Sequence, residues 1–252
     1  MNREIETASL RAWPALEEET LGAWTLRFSG GFTGRANSVQ PFAGDGGPLA
    51  ERVAACERWY AERGRPCLFR VTPFSEPGLD DYLAARGYAS LHPTDVMLLD
   101  PRTGLEGFPN DVAGDFSMLD LPEWLEAFAR LSGLSAPHPR MGQIISRIEP
   151  PSFLGGVPRH AELVACGLAV ADGPLLGLFD LVVDPSLRRR GYGTGLVMAL
   201  CAWGWTSGAV LTYLQVTQAN KAATALYRKL GFRVAYTYSY RVSPETLDPR
   251  PA

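Results

Sequence analysis

The sequence predicts a mixed α/β fold, and three observations carry that expectation. Short runs rich in β-branched and aromatic residues alternate with longer stretches of helical apolar spacing, the alternation occurs as two series, and a Pro/Gly/Asp-rich stretch separates them. A length of 252 residues suits two compact halves of about 125 residues each.

The first series reads as strands over 24–28 and 36–40, a helix over 49–62, a strand over 67–71, a helix over 79–86 and a strand over 88–98. No apolar period survives in the run that begins Pro101-Arg102-Thr103-Gly104, so 101–114 reads as a linker between a half over 1–100 and a half over 115–252. The second series starts with a strand near Phe116 and helices over 122–131 and 140–148. Strands over 162–171 and 175–183, a helix over 193–205, a strand over 210–216, a helix over 221–230 and a strand over 232–242 complete it. Shifting the second series by about 145 positions sets Pro41 against Pro185, Cys56 against Cys201, Val71 against Val216, Gly87 against Gly231 and Tyr88 against Phe232. An internal duplication accounts for this register.

Hydrophobic residues make up 46% of the chain and charged residues 20%, enough apolar material for a buried core and unlike a disordered chain. The net charge of -3 points away from nucleic-acid and acidic-membrane partners, so any anion site must be local. No apolar run is long enough to span a bilayer and the acidic N-terminus is unlike a signal peptide, which makes the cytoplasm the expected location. Cys56, Cys67, Cys166 and Cys201 are scattered without C-x-x-C spacing and sit in apolar stretches. They are expected to be core residues, with no metal site.

That local anion site has a candidate. A buried-type strand ending Leu181-Val182-Val183 runs into Arg188-Arg189-Arg190-Gly191-Tyr192-Gly193-Thr194 and then a helix. Glycines let main-chain N–H groups approach a ligand, and a helix N-terminus adds unpaired donors and partial positive charge, which suits a pyrophosphate. The segment lacks the last spacing of the G-x-G-x-x-G dinucleotide loop and the Gly-Lys-Ser/Thr end of the nucleoside-triphosphate loop. A second segment follows: Asn220 stands at an N-cap position, a helix runs to Leu230, and Gly231 supplies the stop.

Together these segments resemble the Gcn5-related N-acetyltransferase (GNAT) superfamily. Its acetyl-coenzyme A loop, Q/R-x-x-G-x-G/A, is matched by Arg188 to Gly193, and its N-x-x-A-x-x-L-Y-x-x-x-G-F helix by Asn220 to Phe232, in order and about 30 residues apart. The resemblance is clear over 115–242 and weaker over 20–100. It implies the GNAT fold, a mixed central sheet flanked by helices, here as two tandem GNAT-like domains. It also implies that main-chain groups of Leu181, Val182 and Val183 hold the pantetheine arm, that Arg188 to Thr194 hold the diphosphate, and that Asn220 bonds the cofactor or caps its helix. By the same resemblance Tyr227 is a general acid for the leaving thiolate, and acetyl passes from acetyl-coenzyme A to a primary amine in one ternary complex.

The proton acceptor for the amine is less plain. The ribosomal-alanine acetyltransferases of this superfamily carry a glutamate where this chain has Gln215, and the histone-type branch carries one near Gly177. Asp180 on the strand, Glu162 and His160 nearby, and a chain of waters all stand as alternatives. In the N-terminal half the loop Phe42-Ala43-Gly44-Asp45-Gly46-Gly47-Pro48 lacks every arginine, and Leu83 takes the place of Tyr227, so that copy reads as degenerate. Its Gly34-Arg35-Ala36-Asn37-Ser38 cluster is either substrate-facing or a turn into a strand. The acceptor, a small molecule or a peptide amine, carries no diagnostic motif. A non-catalytic acyl-coenzyme A sensor or assembly subunit is the rival reading, against which Tyr227 argues.

Overall fold

A computed structural model describes residues 2–44, 47–101, 116–160 and 162–244. The expected linker therefore lies almost wholly outside the described residues, as do Asp45 and Gly46 of the N-terminal glycine loop.

The elements in chain order are α1 (Asn2–Ala12), β1 (Glu17–Leu21), β2 (Trp24–Phe28), β3 (Val39–Pro41), α2 (Leu49–Glu62), β4 (Leu68–Val71), α3 (Leu79–Ala85) and β5 (Ala89–Leu99). After the linker come β6 (Ser117–Met118), α4 (Leu121–Leu131), α5 (Pro139–Ile145), β7 (Ser152–Arg159), β8 (Glu162–Asp172) and β9 (Leu175–Val183). The series ends with α6 (Tyr192–Thr206), β10 (Leu211–Thr217), α7 (Lys221–Lys229) and β11 (Arg233–Val242). The alternating α/β reading holds, with four adjustments. α1, β1 and β7 were not expected. The strand expected over 36–40 starts only at Val39, because Gly34–Ala36 forms a 3-10 turn. The strand near Phe116 is two residues long. The helix expected over 140–148 ends at Ile145, where the N–H groups of Arg147 and Ile148 donate three residues back to Ile144 and Ile145.

These elements form two compact units: residues 2–14, 96–216 and 220–235 make one, and residues 15–95, 217–219 and 236–244 the other. In the first, the strand order is β5-β10-β9-β8-β7-β6, with β9 and β10 parallel and the pairs β9/β8, β8/β7 and β7/β6 antiparallel. The sheet is mixed and carries helices α1, α4 and α6. α6 is apolar on every side and buries Leu196, Val197, Leu200 and Cys201 against Ala165, Ala169 and Leu178 of the sheet. Truncating one such leucine to alanine costs about 2–5 kcal/mol. α4 begins on Asp120, which accepts from the Glu123 N–H at 2.8 Å, and buries Trp124 completely. α1 is fastened by the Arg11–Asp172 ion pair and by Trp13, stacked on Phe179.

In the second unit the order is β1-β2-β3-β4-β11-β5, around a core of Trp24, Val39, Cys56, Tyr60, Phe69 and Leu83. β3 and β4 are parallel and share a single register pair, Val39 with Phe69. Beyond it the chain turns back on itself: Ala43 N–H donates to Phe74 O at 3.1 Å and Glu76 N–H to Pro41 O at 2.8 Å. All four cysteines are buried and free. No helix among the described residues is long and apolar enough to cross a membrane.

Candidate active site

The site begins where two strands part. β9 is paired with β8 over its whole length, from Asp172↔Leu175 to Ala165↔Val183. Its parallel register with β10 runs only from Leu175↔Leu211 to Leu178↔Leu214. Past that point Leu181, Val182 and Val183 keep one neighbouring strand, β8.

A bulge marks the same place. Leu168 faces Phe179 and Cys166 faces Val182, so Gly167 alone stands opposite two residues, Asp180 and Leu181. Asp180 takes φ +50°, a left-handed conformation that an ordinary strand residue never adopts. Leu181 fills the space a side chain at 167 would need: a Cβ there would lie 2.5 Å from Leu181 Cδ2. A bulge bends its strand, and this one bends β9 just where the ladder to β10 stops.

The loop after β9 is folded by its own side chains. Asp184 accepts from the Ser186 N–H at 2.8 Å and from Ser186 Oγ at 2.7 Å, bonds that hold its carboxyl below the usual range. A 3-10 turn over Pro185–Leu187 follows. Arg188 is extended, Arg189 takes φ +60° and Gly191 φ +91°. A left-handed arginine costs about 1–2 kcal/mol, and such strain collects at functional sites. α6 then starts on Gly191 with no side chain capping its first-turn amides, beside three exposed arginines.

α7 completes the arrangement. Asn220 accepts from the Ala223 N–H at 3.1 Å, so the capping role is filled. One face packs on α6: a Cβ on Gly193 would stand 3.2 Å from Leu226 Cδ2 and 3.6 Å from Val183 Cγ2, bringing strand end, loop and α7 together at one residue. Tyr227 is 8% exposed, with its ring 5.8 Å from that of Phe232. Burial pushes its phenol up to about 12, so it carries its proton throughout the neutral range.

A family model described as "Probable histone acetyltransferase Rv0428c C-terminal" matches residues 2–241. The chain belongs to that family of GNAT proteins. The "Uncharacterized N-acetyltransferase YobR" of Bacillus subtilis (strain 168) is 31% identical over 244 residues, covering 95% of this chain and 98% of the relative. A GCN5-related N-acetyltransferase from Kribbella flavida superposes with a TM-score of 0.69 at 17% identity, over 96% of this chain and 95% of its own. A tandem GNAT protein from the clavulanic acid biosynthesis pathway superposes with a TM-score of 0.61 at 17% identity, over 77% and 68% of the two chains. The protein is thus an acetyl-transferring enzyme with the GNAT fold.

Within this GNAT frame the candidate proton acceptors separate. Gly177 leaves no room for a carboxylate, since a Cβ there would lie 2.6 Å from the Tyr213 hydroxyl and 2.5 Å from the Phe179 ring. Gln215 sits half-buried on β10, past the end of its register with β9. Asp180 lies in the bulge, close enough to Cys166 that its charge adds to the burial that pushes that thiol up to about 12. His160 and Glu162 are exposed at the turn between β7 and β8. The Gly34 to Ser38 cluster folds inward: Asn37 accepts from the N–H groups of Ser29 and Gly31, both at 2.8 Å, and donates to Phe32 O and Thr33 O. It staples its own loop.

Two residues that shape the site were not singled out from the sequence. Gly167 makes the bulge, and Trp124 donates to its carbonyl at 3.1 Å. An isolated glycine inside a strand pattern signals a bulge or a close approach, and Gly167 fits that signal.

Proposed function

We propose that this GNAT enzyme transfers acetyl from acetyl-coenzyme A to a primary amine of a small molecule or peptide, by direct attack in one ternary complex in the cytoplasm. The observation that carries the reading is the parting of β9 from β10 directly ahead of an uncapped, arginine-flanked helix start. Acetyl-coenzyme A supplies a thioester carbonyl and a thiolate leaving group. The acceptor supplies the attacking nitrogen, and the chain supplies the binding, orienting and proton-donating groups.

In this reading the main chain of Leu181, Val182 and Val183 bonds the pantetheine arm in the manner of a missing strand, because β10 no longer does. The amides from Arg189 to Thr194 and the three guanidinium groups hold the diphosphate, and Gly193 lets the chain come close. An amide at the end of β9 faces the thioester oxygen as it gains charge. Asn220, already capping α7 through Oδ1, is an exposed residue whose side-chain NH2 suits the pantetheine carbonyls. The amine nitrogen bonds to the acetyl carbon, the C–S bond breaks, and Tyr227 gives its phenolic proton to the departing sulfur. The amine loses its proton to solvent directly or by way of Asp180, and the Tyr227 phenolate recovers a proton from solvent before the next turnover.

The tandem reading is completed by a first half that binds no second cofactor. The gap beyond Val39↔Phe69 is taken up by the chain's own segment from Thr72 to Glu76, and the Glu76 carboxylate bonds Arg52 in the first turn of α2 at 3.1 Å. Arg52 is thereby engaged by the chain's own carboxylate and not by a diphosphate.

The test is calorimetry with coenzyme A and acetyl-coenzyme A, followed by thiol release across a panel of amines. One equivalent bound per chain and amine-dependent release are expected. Binding without turnover on any amine would favour the sensor reading, and absence of binding would remove the assignment.

A further inference from the structure

The bulge that turns β9 away from β10 has a partner outside the sheet. Trp124 is fully buried, its ring stacks on Phe128 at 5.2 Å, and its Nε1–H donates to the carbonyl of Gly167 at 3.1 Å. Gly167 is the residue that faces both Asp180 and Leu181, and Leu181 occupies the volume beside it. An unmade bond would be costly for a buried indole N–H, so the bond fixes where that segment of β8 lies relative to α4. β8 in turn is the one strand that holds Leu181–Val183, through Cys166↔Val182 and Ala165↔Val183.

We infer that Trp124 is a positioning residue for the cofactor site: its indole N–H locks β8 at Gly167, and through the bulge aims the main chain of Leu181–Val183 at the pantetheine arm. This rests on the proposed use of acetyl-coenzyme A. The diphosphate side of the site, on Arg189–Thr194, is shaped by Asp184, Ser186 and the start of α6; it has no bond to Trp124 and meets β8 three residues away from Gly167, where the Asp184 N–H donates to Val164 O at 2.9 Å. The two ends of the cofactor should therefore respond differently to the loss of the indole N–H.

Trp124→Phe keeps an aromatic ring beside Phe128 and removes the donor together with part of the buried indole's volume. Calorimetry on the full chain would compare coenzyme A, which has both ends, with adenosine 3′,5′-bisphosphate, which lacks the pantetheine arm. The variant should bind coenzyme A about tenfold more weakly, as one misaligned hydrogen bond to the pantetheine arm would cost, with affinity for the bisphosphate unchanged. Hydrogen exchange at the Leu181–Val183 amides should quicken in the ligand-free variant while the amides of α6 stay protected. Gly167→Ala, which pushes on Leu181 from the other side, should show the same split and stands in if Trp124→Phe folds poorly. Equal weakening of both ligands, or no weakening with unchanged exchange, would overturn the inference. If the unaltered chain binds neither ligand, the acetyl-coenzyme A reading fails, and exchange at Leu181–Val183 still decides whether Trp124 holds the bulge.

Discussion

The Tyr213 hydroxyl stands where a side chain at Gly177 would begin, 2.6 Å from an ideal Cβ on that residue. Tyr213 is itself buried and set edge-on to Phe179, so neither ring can yield without disturbing the sheet. A glutamate at 177 would therefore not supply a base. Gly177→Glu should lower stability by about 3 kcal/mol or more, as overpacking joined to a buried charge predicts, with no gain in turnover. Urea unfolding beside the amine-dependent rate checks this, and a stable variant with a raised rate would contradict it.

Tyr227→Phe separates catalysis from packing. The ring contact with Phe232 survives and only the hydroxyl goes. If the phenol protonates the leaving sulfur, turnover should fall about a hundredfold, the lower end of what a positioned acid supplies, with affinity for acetyl-coenzyme A changed by less than about twofold. Because burial holds this phenol near 12, no alkaline fall in the unaltered enzyme's rate between pH 7 and 10 should belong to it. An unchanged rate in the variant would remove Tyr227 from the mechanism.

The legible parts of this fold are those whose signals are local. β9, the glycine-arginine loop, α6 and α7 follow from periodicity, an N-cap asparagine and a stop glycine, and the structure places each within a residue or two of expectation. β1 escaped because Glu17, Glu18 and Glu19 are exposed and show no alternation. Their place in the sheet comes from pairing with β2, where Arg27 bonds Glu18, and from bonds to Trp59 and Arg63, which lie far along the chain. β7 escaped because Gly155 and Gly156 read as breakers, yet they are small because Phe116, Leu200, Leu119 and Leu163 crowd their Cβ positions. The bulge at Asp180 escaped for a like reason. Its cause, Gly167, lies on the neighbouring strand, and pairing across strands leaves no mark at the residue that is displaced.

Buried thiols and phenols make stability fall as pH rises. Cys166 and Cys201 are pushed from 9.0 up to about 12, and Tyr227 from 10.0 up to about 12. Each group keeps its proton in the folded chain and loses it more readily in the unfolded one. The stabilisation is complete below about pH 9 and is lost between pH 9 and 12, with Tyr227 alone accounting for about 3 kcal/mol by pH 12. Urea midpoints under reducing conditions should fall steadily from pH 9 to 11, and the slope should lessen in Cys166→Ala. A flat profile would show that these groups are not buried in solution.

Gly193→Asp tests the diphosphate assignment with little risk to the fold. A Cβ at 193 stands 3.2 Å from Leu226 Cδ2, a contact that a small shift of the leucine relieves. A carboxylate in the first turn of α6 is favoured by the helix dipole, so the melting temperature should move by only a few degrees. The same charge lies among the amides proposed to receive the diphosphate, and repulsion there should weaken coenzyme A more than about a hundredfold. Gly193→Ala adds the Cβ without the charge and should cost no more than about tenfold, which separates repulsion from crowding. If Gly193→Asp binds coenzyme A as the unaltered chain does, the diphosphate lies elsewhere.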